Sequence, residues 1–93
     1  MNAREREREM LLRCATAARN SAVAQDQQEA NVFRVAAMVV QSRLPSEAAK
    51  LMQASENYFN QHPNERLPAA DVVRNGWVFS LPRLRDMLSR ELR

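Results

Sequence analysis

A chain of 93 residues is the size of one small domain, and 45% hydrophobic with 27% charged residues excludes wholesale disorder. A single glycine excludes most sandwiches and barrels, which need glycine at tight turns, while fourteen alanines favour helix. The net charge is +3 and thirteen of the fourteen basic residues are arginine, so an acidic partner fits better than a basic one.

The first expected helix covers residues 3–24, with Leu11, Cys14, Ala15, Ala18 and Ala22 at three- and four-residue spacing. Its opening, Arg4-Glu5-Arg6-Glu7-Arg8-Glu9, places both like and opposite charges within four positions. Residues 1–9 therefore read as a solvated, fraying start. Asp26-Gln27-Gln28-Glu29 resembles a capping box and divides this helix from the next. The competing reading is one helix over 3–43, about 60 Å long at 1.5 Å per residue, which would imply an oligomeric coiled coil.

The second helix, 27–43, carries the densest apolar sequence: Val32, Phe33, Val35, Ala36, Ala37, Met38, Val39 and Val40. A helix apolar almost all round is a bundle centre or an oligomer seam, which predicts a homodimer. Leu44-Pro45-Ser46 opens the third helix, 46–61, with Ala48, Leu51, Met52, Ser55 and Phe59 on one face. His62-Pro63 ends it.

Pro68 opens a short fourth helix, 68–75. At Asn75-Gly76 two readings compete. Gly76 stops the helix, or Asn75-Gly76 turns a short β-hairpin over 72–80. The helix stop is preferred, because a lone hairpin needs a packing surface. Ser80 caps the last helix, 81–92, whose stripe is Leu81, Leu84, Leu88 and Leu92. The expected fold is an all-α compact bundle of four to five helices in one domain, 1–93.

Catalysis has no foothold in these residues. Cys14 and His62 are single, no Gly-rich phosphate loop or nucleophile elbow occurs, and the eleven acids are scattered. The chain is expected to be non-enzymatic, with no cofactor, no metal and no catalytic residue. The apolar run Val35–Val40 is too short for a membrane span, and the mixed-charge start is unlike a signal peptide, so a cytoplasmic location is expected.

Charge points to the C-terminal end. Residues 1–44 carry +2, 45–65 carry −2 and 66–93 carry +3. The candidate partner-binding residues are Arg74, Trp77, Arg83, Arg85, Arg90 and Arg93, an aromatic-plus-basic set of the kind found at interface hot spots. The leading expectation is a regulator-, inhibitor- or adaptor-type module, of the sort phages or plasmids encode, presenting an Arg-rich helix to an acidic protein. The alternative is a helix-turn-helix-like DNA-binding regulator using 68–93. Its connection over 76–79 is longer than the usual turn, and Asp86 sits among the arginines.

Overall fold

Asp26 divides the N-terminal half of the chain. Its extended backbone leaves the side chain free to accept from the Glu29 backbone N–H at 2.9 Å, which starts a new helix. The computed structural model describes residues 2–20, 23–74 and 81–92. Over these it shows α1 (Ala3–Asn20), α2 (Gln27–Val40), α3 (Pro45–Phe59), α4 (Ala69–Arg74) and α5 (Leu81–Glu91), with a 3-10 turn at Pro63–Glu65. The longest extent of the molecule is 34 Å. A continuous helix over 3–43, at about 60 Å, does not fit within it.

The structure is all-α over the described residues. Val72–Arg74, the first strand of the alternative hairpin, lies in α4. Asn75-Gly76, Trp77 and the Ser80 cap lie outside the described residues.

The helix ends differ from the expected ones by a few residues. Helix α2 stops at Val40 because the Arg43 and Leu44 backbone N–H groups both turn back to the Val40 carbonyl, at 3.1 and 2.8 Å. Pro45 then supplies the first turn of α3 with Leu44 as its cap residue. Helix α3 ends at Phe59 rather than Gln61. The His62 N–H reaches back to the Tyr58 and Phe59 carbonyls, at 3.1 and 3.2 Å, and closes the end as a turn. The exposed His62 ring stacks on Tyr58 at 4.3 Å between centroids.

Helix α2 is the centre of the bundle. It packs on α1, α3, α4 and α5, and it buries Val32, Phe33, Val35, Ala36, Ala37 and Val40. The apolar surface that suggested an oligomer seam is thus largely covered within one chain; Met38 stays exposed. Small residues on α1 (Cys14, Ala15, Ala17 and Ala18) are buried and allow close helix approach. From α3, Ala48, Leu51, Ala54, Ser55 and Phe59 face inward. Lys50 of α3 donates to the Arg19 carbonyl at 3.2 Å, placing a cation near the negative end of α1.

One buried polar group ties the connector before α4 to α2. Asn31 has no exposed surface, and all its hydrogen-bonding capacity is used. Its Nδ2 donates to the Gln27 carbonyl at 3.1 Å and the Glu65 carbonyl at 3.4 Å. Its Oδ1 accepts from Arg34 Nη2 at 3.1 Å and the Leu67 backbone N–H at 3.4 Å. Arg34 also donates to the Leu67 carbonyl. Arg34 and Arg66 lie 5.9 and 4.8 Å from the Phe59 ring centroid, adding cation–π attraction. Burial, and then the neighbouring Arg66, lower the Arg34 pKa from its ordinary value.

Candidate basic docking face

The apolar stripe of α5 fixes which of its charges face outward. Leu84 and Leu88 are buried against the bundle, with Leu81 and Leu92 partly buried beside them. One turn is 3.6 residues, so Arg83, Asp86 and Arg90 fall opposite this stripe, with Arg85 at its margin. All four are exposed.

Helix α5 lies against α1 as well as α2. Arg83 Nη2 stands 2.6 Å from Glu7 Oε1, near the start of both helices. Arg19 donates to the Glu91 carbonyl near the end of both. The two contacts set α1 and α5 parallel. Glu7, within the stretch expected to fray, is helical and makes this contact with a mostly buried side chain.

Among the described residues, two grooves border α5. The larger, about 870 Å³, runs between α1 and α5. Arg4, Arg8, Arg83 and Arg90 line it together with Glu5, Glu7, Asp86 and Glu91, so its charges balance. The smaller, about 410 Å³, is lined by Arg43, Asp86, Ser89 and Arg90. Here Arg43, from the turn after α2, joins Arg90, from the last turns of α5. Neither arginine is engaged in an ion pair among the described residues. Arg85 is 3.9 Å from Asp86, a loose contact at the surface.

Three of the six expected partner-binding residues, Arg83, Arg85 and Arg90, therefore share α5. Arg74 stands apart on α4, paired with Asp71 one turn earlier. Trp77 and Arg93 lie outside the described residues. Arg43 is the member that sequence reading missed. It lies 47 positions from Arg90 and belongs to no periodic pattern. Its only sequence signal is a position just past the apolar run of α2.

The arrangement differs from a helix-turn-helix. Helix α4 packs on α2, and α5 packs on α2 and α1, while α4 and α5 scarcely touch each other. In the DNA-binding motif those two helices support one another.

Among the described residues, no helix is long and apolar enough to cross a membrane, and no three His, Cys, Asp or Glu side chains gather as a metal site. Burial pushes the Cys14 thiol up to about 12. The chain matches none of the protein-family models, curated proteins or solved structures with which it was compared.

Proposed function

We propose that this protein is a small non-enzymatic interaction module, of the regulator or inhibitor type, which docks an acidic surface of a protein partner. The docking face consists of Arg43 and Arg90, which line one groove, with Arg85 next to the groove's Asp86. The supporting observation is the convergence of Arg43 and Arg90 on one groove from two separately packed elements. Arg43 and Arg90, which make no ion pair among the described residues, are free to form bidentate bonds to carboxylates, and anchoring on a packed helix limits the entropy lost on binding. The cytoplasmic location remains part of this reading.

Recognition of a nucleic acid is the weaker fit. Helices α4 and α5 do not form the mutually packed pair that a helix-turn-helix needs.

The test compares the wild-type chain with an Arg43→Glu/Arg90→Glu variant. Both are used to retrieve partners from native cells and are titrated with mixed-sequence duplex DNA at low salt. The reading predicts a protein partner lost on charge reversal, unchanged helical circular dichroism, and no salt-sensitive DNA complex. Undiminished capture by the variant would contradict it. So would a salt-sensitive DNA complex that the same substitutions weaken.

A further inference from the structure

The outward face of α1 carries a charge pattern complementary to itself when reversed. Glu5, Arg8, Leu12, Thr16 and Arg19 follow one another at steps of three, four, four and three residues, so they form one stripe. All five are exposed, and Leu12, at 45%, is the large apolar member at the centre. Glu5 and Arg19 each stand seven positions from Leu12; Arg8 and Thr16 each stand four.

A two-fold axis through Leu12 places two such helices antiparallel. It brings Leu12 against its own copy, Glu5 against the copy's Arg19, and Arg8 against the copy's Thr16. Each opposite-charge pair then occurs twice, about 10 Å on either side of the axis at 1.5 Å per residue. A parallel arrangement would oppose like charges, which is unfavourable.

The groove between α1 and α5 supports the same occupant. Leu12 lines it with Met87, while its balanced charges neither repel a second copy nor attract a one-signed partner. Arg19 donates to the Glu91 carbonyl, and its ion pair with the Glu91 carboxylate is a loose 3.8 Å contact in which both side chains are about half exposed, so the guanidinium keeps donors for a second carboxylate.

We infer that a second copy of this chain docks on this face, forming a two-fold homodimer with Leu12 at its centre and Glu5–Arg19 pairs at its ends. The surface differs from the apolar face of α2, which the bundle covers; Arg43 and Arg85 lie outside it, while Arg90 borders both grooves. The interface is small, so association is weak and the measurement needs high protein concentration.

Light scattering across a concentration series tests this. The wild-type chain should approach twice its 10.7 kDa mass. Leu12→Glu and, separately, Glu5→Arg should both remain monomeric with unchanged helical circular dichroism. The charge swap Glu5→Arg/Arg19→Glu should recover the dimer. A wild-type monomer at the highest concentration overturns the inference, as does a dimer indifferent to Leu12→Glu and Glu5→Arg. A folded double variant that stays monomeric overturns it too. None of these outcomes depends on Arg43 or Arg85, so docking of an acidic partner is tested separately.

Discussion

Arg13 of α1 donates its Nε–H to Glu29 of α2, and Glu29 is only 4% exposed. The same carboxylate accepts from the Gln25 backbone N–H at 3.3 Å, while its own backbone N–H donates to Asp26. One side chain thus closes the start of α2 and fastens α1 to it. The hydrogen bond to Glu29 raises the Arg13 pKa above its ordinary value, outweighing the opposing effect of burial.

Removing one partner should cost more than the pair contributes. Arg13→Met leaves a buried carboxylate short of its cation and is expected to destabilise the fold by about 2 kcal/mol. Adding Glu29→Gln removes that charge while retaining an acceptor for Gln25. The double variant should therefore regain part of the loss. Urea unfolding of the wild type, both single variants and the double variant measures this coupling.

Asn31 is the second internal tie. Asn31→Leu takes the side-chain acceptor from the Leu67 N–H and one hydrogen bond each from Arg34 and the Glu65 carbonyl, which keep the Leu67 carbonyl and Gln27 Nε2 as partners. The expected loss is about 1–3 kcal/mol, because the Leu67 N–H loses its acceptor and two partly buried groups each lose one bond. Hydrogen exchange locates the effect: the Leu67 amide should exchange faster, while α1 amides change only through global stability.

Cys14 predicts the alkaline behaviour. Its thiol is pushed up from 9.0 to about 12, chiefly by burial, so the folded state holds the proton more tightly than the unfolded chain. The resulting stability is fully present below about pH 9 and is lost progressively as pH rises toward 12. Cys14→Ala should begin less stable, by about 1 kcal/mol for the small cavity, and then lose stability less steeply above pH 9. Chemical denaturation at neutral pH and at alkaline pH measures both effects. Thiol-specific alkylation near pH 8 should be slow in the native protein and fast in urea.

Local signals were the legible ones. The Asp26 cap, the Leu84–Leu88 stripe and the proline at the start of α3 act within a few residues, so spacing alone reveals them. Asn31 holds groups 34 to 36 positions away, and no periodicity marks such a partnership. Arg43 and Arg90 meet only because α2 and α5 pack together. Helix α2 was legible as buried, but not as buried by its own chain. An apolar circumference records how much must be covered and leaves open which helices cover it. Of the basic candidates, the α5 set was visible as charge on one face of a helix; the separation of Arg74 from it required the tertiary fold.

The most direct test of the central claim is site-specific photo-crosslinking in native cells. A photoreactive residue replaces Arg85, at the edge of the docking face, or Gln53, exposed on α3, as the control. The account predicts a heterologous protein adduct from position 85, absent from position 53 and lost when Arg43→Glu and Arg90→Glu are added. Equal adducts from both positions, or an adduct from 85 that survives both charge reversals, would contradict it.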